Sequence, residues 1–84
     1  MQTSLYLVER YLPGAGHKDA AAAADRSAAA AEGSAVRYIG TTYIPADEAC
    51  FCEYEARSPE AVAQANKRAE LPFARILPAV RFQR

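Results

Sequence analysis

Several residue types and patterns are scarce in this chain of 84 residues, and each scarcity excludes a class of protein. Lysine and arginine together number 10 and so do aspartate and glutamate, so the formal net charge is zero and no basic surface for nucleic acid is expected. No apolar run approaches the roughly 18 residues that a membrane span needs, and the first residues lack the charged and apolar regions of a secretory signal. We therefore expect a cytoplasmic protein with no nucleic-acid partner and no membrane segment, folded as one domain over residues 1–84.

Cysteine is also scarce, and its two copies, Cys50 and Cys52, are separated by a single residue. On a strand this spacing points both side chains to the same face with extended chain between them, which is a poor geometry for a disulfide. A zinc site usually needs a second pair of ligands, and the sequence has no such pair. The pattern therefore favours reduced thiols that pack in the core over a soft-metal clip.

Alternating strand and helix patterns fill the rest of the chain. Alanine dominates residues 17–32 up to Gly33, a residue suited to end a helix, and Ser58-Pro59 has the order of a helix start. The helical period predicts one weakly apolar side for the first helix, formed by Ala20, Ala24, Ser27, Ala28 and Ala31. The predicted strands are residues 5–12, 35–44, 48–56 and 73–82, and the predicted helices are residues 17–32 and 59–70. The order βαββαβ is that of a ferredoxin-like α+β fold, with two helices on one face of a four-stranded antiparallel sheet.

This topology makes two predictions about the strands. The first and third strands lie at the centre of the sheet, where we expect them to be parallel neighbours. Pro78 predicts an edge position for the last strand, because proline has no N–H to donate to a central ladder.

The alternation of side chains along the first strand places charge in the middle of the sheet. Period-two alternation puts one set on one face, Leu5, Leu7, Glu9 and Tyr11, and the other set on the opposite face, Tyr6, Val8, Arg10 and Leu12. In the third strand Phe51, Glu53 and Glu55 share a face, and we expect Glu9 to face Glu53 across the central pair. A face with several acids cannot be the dry helix-covered core, so it is the open face, which meets water, a second subunit or a pocket between subunits.

Three segments carry a resemblance to a known family: LVERYLPG, VRYIGTTYIP and FCEYEARSPEAVAQANKRAELPF. Together they resemble the small bacterial nickel-binding-protein-like family, domain-of-unknown-function family 4242. The resemblance implies a ferredoxin-like fold and a homodimer formed by the open sheet faces, a dimeric α/β barrel. In some members it also implies nickel bound near that interface.

The resemblance also suggests candidate metal ligands. Family members carry histidines at places that correspond here to Glu9 and Tyr11, Thr41, Asn66 and Glu70, and this chain has one histidine, His17. Nickel prefers imidazole but accepts oxygen ligands as well. The candidate ligands for nickel or another divalent ion are therefore Glu9, Tyr11, His17 and Glu53.

Other interpretations of the same residues stay open at this point. Glu9 can instead pair with an arginine such as Arg10, Arg37 or Arg75, because buried charges are generally paired. If Glu9 is instead a metal ligand among other acids, its replacement by glutamine should leave the thermal stability level or raise it. The alternatives to a metal-binding homodimer are a small enzyme without a bound cofactor, such as an isomerase, cyclase or oxygenase with acids and tyrosines in a cavity, and a non-catalytic binding module.

Overall fold

The computed structural model of the protein describes residues 2–14 and 16–83. Its elements follow the predicted order: β1 (Ser4–Tyr11), α1 (His17–Ala31), β2 (Arg37–Ile44), β3 (Ala49–Ala56), α2 (Pro59–Arg68) and β4 (Arg75–Ala79), with a short 3-10 turn (Pro45–Asp47) between β2 and β3. Most bounds lie within two residues of the predicted ones. The exception is β4, which is five residues long where ten were predicted. It is short because Ala79 pairs with Leu5 near the beginning of β1, so residues 80–82 have no partner strand.

The four strands form one sheet in the order β2-β3-β1-β4, and every neighbouring pair is antiparallel. The ferredoxin-like fold is confirmed, but the prediction that the central strands β1 and β3 are parallel is wrong. The α1 crossover gives β2 the direction of β1, and the tight turn after β2 then reverses β3. Pro78 does lie in an edge strand, as predicted.

Local sequence explains where both helices begin and end. Asp19 in the first turn of α1 accepts the Gly16 backbone N–H at 3.1 Å, and Gly33 follows the helix with φ +72°, a conformation that favours glycine. At α2 the Ser58 hydroxyl accepts the Ala61 N–H at 3.2 Å, with proline at the first helical position. These signals were readable in the sequence because each involves residues a few positions apart.

The core lies between the helices and one face of the sheet. Its sheet side is formed by alternate residues of the two central strands, among them Val8, Cys50, Cys52 and Tyr54. Both cysteines are free and fully buried, which confirms that they are core residues. The buried positions of α1 are Ala20, Ala23, Ser27, Ala30 and Ala31.

The predicted face of α1 was only partly right. Ala24 and Ala28 were expected on the buried side and are half-buried at its margin. Alanine on every side leaves too little contrast to fix the rotation of the helix. No helix among the described residues is long and apolar enough to cross a membrane.

Candidate functional site

The open face of the sheet carries three ion pairs between strands or between a strand and the segment after β4. They are Glu9 with Arg75, Glu53 with Arg81, and Glu55 with Arg37. The Arg37 Nη2–Glu55 Oε1 distance is 3.1 Å and the Arg75 Nε–Glu9 Oε1 distance is 2.5 Å. Each acid predicted for this face is therefore present there and has an arginine of its own.

Glu9 is the most buried acid of the face. Its side chain is 8% exposed, whereas that of Arg75 is 60% exposed. The hydrogen bond from Arg75 and the charge of Glu9 raise the pKa of the Arg75 guanidinium. The backbone carbonyl of Glu9 also accepts the Ala74 N–H at 2.7 Å, so the beginning of β4 is attached to β1 through both the main chain and a side chain.

The sheet register decides which side chains stand opposite each other. Glu9 lies opposite Phe51, and Glu53 lies opposite Leu7. The prediction that Glu9 faces Glu53 is therefore wrong, because the two acids are diagonal neighbours on the same face, with Cα atoms about 7–8 Å apart in such a geometry. Each acid instead has an arginine, which removes the repulsion that was expected between them.

Tyr11 and His17, the other two candidate ligands, lie on different sides of the sheet. Tyr11 continues the face of Glu9 at the end of β1 and is 60% exposed. His17 begins α1, and its ring meets that of Tyr43 edge-on at 5.6 Å between centroids. Tyr43 lies opposite Cys50 and packs against the core, so His17 is on the helix side.

The structure thus brings Glu9, Tyr11 and Glu53 onto one face and leaves His17 out. Within residues 2–14 and 16–83, no three His, Cys, Asp or Glu side chains are grouped closely enough to hold a metal ion in one protomer.

Arg10, a possible partner of Glu9 from the sequence, lies on the opposite face of the sheet. It is 3% exposed between the sheet and both helices. Its guanidinium donates to the Ser27 hydroxyl at 3.3 Å, the Pro72 carbonyl at 3.1 Å, the Tyr54 hydroxyl at 3.2 Å and the Asn66 Oδ1 at 2.6 Å. No carboxylate of the described residues pairs with it within 4.0 Å. In the sequence, the alternation along β1 places Arg10 on the core side, and this is the signal that predicts its burial.

The polar network around Arg10 extends to the thiols. The Ser27 Oγ and the Cys52 Sγ are 3.1 Å apart, and the Thr41 hydroxyl donates to the same sulfur at 3.3 Å. Burial, helped by the neighbouring Cys52, raises the pKa of Cys50 to about 11, and burial also raises the pKa of Tyr54. Every buried side-chain nitrogen and oxygen of the described residues has a hydrogen-bond partner. These groups hold one another in place, and Cys50, with its raised pKa, lacks the lowered pKa of a nucleophile.

The segment between α2 and β4 borders two cavities. One, of about 230 Å³, is lined by Tyr11, Pro72, Phe73 and Ala74 at the end of β1. The other, of about 510 Å³, is lined by Pro72 and Phe73 together with Lys67, Glu70 and Leu71. The smaller cavity is continuous with the strand end that carries Glu9 and Tyr11.

These features define a small ferredoxin-like α+β protein with a closed core on one side of the sheet and a charged, partly apolar open face on the other. The chain belongs to the family of nickel-responsive proteins like SCO4226, whose family model matches residues 6–78. The family resemblance that the sequence motifs indicated is thereby confirmed.

The comparison with solved structures supports the fold. The crystal structure of SCO4226 from Streptomyces coelicolor A3(2) superposes with a TM-score of 0.79 and covers 95% of this chain and 100% of its own. The two sequences are 18% identical, so this likeness bears on the fold alone. No curated protein matches the chain.

Proposed function

We propose that this protein is a homodimer in which the open sheet faces of two copies meet, and that it binds a divalent metal ion, nickel by analogy with its family, at the acids of that face. The observation that carries the proposal is Glu9. It is a carboxylate on a central strand, 8% exposed, whose partner Arg75 is 60% exposed and already largely in contact with water.

The composition of the open face supports the dimer. Between its ion pairs lie four apolar side chains that are half-buried in one protomer, Leu5, Leu7, Phe51 and Leu77. The helices already cover the other face, so a second copy is the natural cover for this one. Because each acid has its own arginine, two such faces can approach each other without net repulsion.

In this proposal the ion binds once the arginines have moved away. Glu9, Glu53 and Tyr11 would hold the ion with oxygen atoms, which nickel accepts although it prefers imidazole. His17 is left out of the proposed set because it lies on the helix side. The bound ion would supply the positive charge that Arg75 and Arg81 supply in the structure, and this exchange is a physical basis for a response to metal.

The test is a nickel titration by isothermal calorimetry of protein without an affinity tag. Replacing Arg75 with glutamine removes the competing cation, so the R75Q variant should bind nickel more tightly than the parent. Replacing Glu9 with glutamine removes a donor, so E9Q should weaken nickel binding by at least about tenfold, equivalent to roughly 1.4 kcal/mol. The matched control is R37Q, which alters the Arg37–Glu55 pair at the other edge of the face and should leave the nickel affinity unchanged.

The stability of E9Q gives a second readout. Contrary to the expectation from sequence, its melting temperature without metal should fall, by roughly 5 °C, because Arg75 loses its carboxylate. Absence of nickel binding by the parent and by R75Q at millimolar metal would refute the metal proposal. A monomer in sedimentation equilibrium at tens of micromolar would refute the dimer.

A further inference from the structure

The segment after β4, residues 80–83, exposes two large apolar side chains. Val80 is 76% exposed and Phe82 is 88% exposed, and with Tyr11 they are the exposed large hydrophobic residues of the part of the chain that the structure describes. Arg81, between them, forms the ion pair with Glu53 on β3. Because β1 lies between β4 and β3, the Arg81 side chain crosses the open face above β1. The segment is thus held against the face that the proposed dimer would bury.

The same face ends in a cavity of suitable size for an aromatic ring. The cavity of about 230 Å³ beside Tyr11 is lined by Pro72, Phe73 and Ala74, which are apolar. An apolar cavity of about 150 Å³ is already large enough to hold benzene. The volume of this cavity is therefore sufficient for a phenyl ring.

Phe82 cannot reach this cavity in its own chain. Ala74 precedes the five residues of β4 and Val80 follows them, so Val80 is six positions beyond Ala74, a distance of about 20 Å along a strand. The Arg81–Glu53 ion pair further holds the segment against the open face of its own sheet. The occupant must come from another molecule.

A second copy can place it there. A two-fold axis that lies between two stacked sheets, perpendicular to their strands, reverses the strand direction of the partner. The end of β4 in one copy then lies over the beginning of β4 in the other. This brings each Phe82 to the cavity of the partner, and the symmetry makes both contacts equivalent.

The area of the sheet gives an independent reason for the contact. Three of the four strands have eight residues, so the face covers roughly 500 Å² of projected area per copy, or about 1,000 Å² for two. That is only the lower limit for a specific interface. An aromatic side chain buries about 150–250 Å², so two docked Phe82 side chains would raise the buried area clearly above this limit.

We infer that Phe82 of each copy inserts into the partner's cavity beside Tyr11, and that this reciprocal contact fastens the dimer and closes the end of the open face. The inference rests on the dimer of the proposed function but not on metal binding. The contact makes the cavity next to Glu9 a site that a single protomer leaves incomplete.

Fluorescence tests the contact directly, because the chain has no tryptophan. In the F82W variant the single indole should emit at shorter wavelength in the dimer and shift to longer wavelength on dilution, as it passes from the cavity into water. The matched control is Q83W, one residue further along, whose emission should stay that of an exposed indole at every concentration. The F82A variant should dimerise at least about tenfold more weakly than the parent, equivalent to roughly 1.4 kcal/mol.

Cross-linking tests the geometry. A mixture of F82C and A74C subunits should form an intermolecular disulfide, whereas F82C alone should not, because the two-fold axis places the two segments at opposite ends of the dimer. The native cysteines are fully buried and do not compete. A parent that is monomeric at tens of micromolar refutes the dimer itself. A parent dimer combined with exposed indole emission in F82W, unchanged association in F82A and no mixed disulfide overturns the inference alone.

Discussion

Glu9 and Arg10 are neighbours in β1 but lie on opposite faces of the sheet, and an arginine is bound differently on each face. On the helix side, Arg10 is 3% exposed and donates only to neutral oxygens. On the open side, Glu9 is the buried member of its pair, and its partner Arg75 is largely in water. One guanidinium is fixed by the core, and the other is held by a single acid.

The difference follows from what each arginine would lose by moving. Arg10 holds β1, both helices and the segment before β4, and its departure would leave several buried oxygens without donors. Arg75 would lose one carboxylate and regain its hydration. A cation of the core is therefore structural, while a cation of the open face costs less to displace, which is what the proposed metal binding and dimer would require.

The largest expected effect in this comparison is the loss of Arg10. The R10M variant keeps much of the volume but removes the donors to the Tyr54 hydroxyl, Asn66 Oδ1 and Pro72 carbonyl, so we expect urea unfolding to show a loss of about 3–5 kcal/mol. If it does not fold, R10K keeps the charge with fewer donors and should show a smaller loss. An R10M protein as stable as the parent would mean that the network contributes nothing.

The second-largest effect is expected from alkaline pH, which should lower the free energy of unfolding through groups on the helix side. The pKa of Cys50 is raised from 9.0 to about 11, mainly by burial, so the folded state holds the thiol proton more tightly than the unfolded chain does. Ionisation of the Cys50 thiol therefore leaves the free energy of unfolding unchanged below pH 9, and lowers it by about 2–3 kcal/mol between pH 9 and 11. Tyr54, whose pKa is also raised by burial, adds a loss in the same direction.

Urea unfolding between pH 8 and 11, under reducing conditions, measures this loss. The C50A variant serves as the control, since without the thiol its stability should fall less steeply over the same range. Equal slopes for the two proteins would show that Cys50 is not desolvated in solution.

The smallest effect belongs to the exposed pair at the outer edge of the open face. The side chains of Arg37 and Glu55 are 69% and 37% exposed, so R37Q should cost no more than about 0.5–1 kcal/mol in urea unfolding. The cost should vanish in about 1 M salt, where charges are screened within about 3 Å. A larger or salt-independent loss would show that the open face depends on its ion pairs as strongly as the core depends on Arg10.

Local sequence predicted most of the fold. The cap at Ser58-Pro59, the glycine after α1 and the proline of the edge strand each act over a few residues, and the structure confirms all three. Alternation along β1 also placed Glu9 and Arg10 on the correct faces. The rotation of α1 was less accurate because a helix rich in alanine has little polar contrast.

Alternation by itself could not decide which residues would meet. The face of each residue is the same whether neighbouring strands are parallel or antiparallel, so alternation does not reveal strand direction. The prediction that β1 and β3 are parallel, with Glu9 facing Glu53, was therefore compatible with the sequence pattern. The antiparallel register places Glu9 opposite Phe51, and the two acids remain diagonal neighbours.

The amino-acid sequence by itself determined the βαββαβ order, the two faces of the central strands and the family to which the chain belongs. Tertiary structure alone decided which charges are partners. Arg75 reaches Glu9 across 66 residues of chain, and the partners of Arg10 lie 17 to 62 residues away from it. Such pairs depend on strand register and helix placement, which are set by the packing of the whole core, whereas caps, turns and alternation depend on neighbours in the chain.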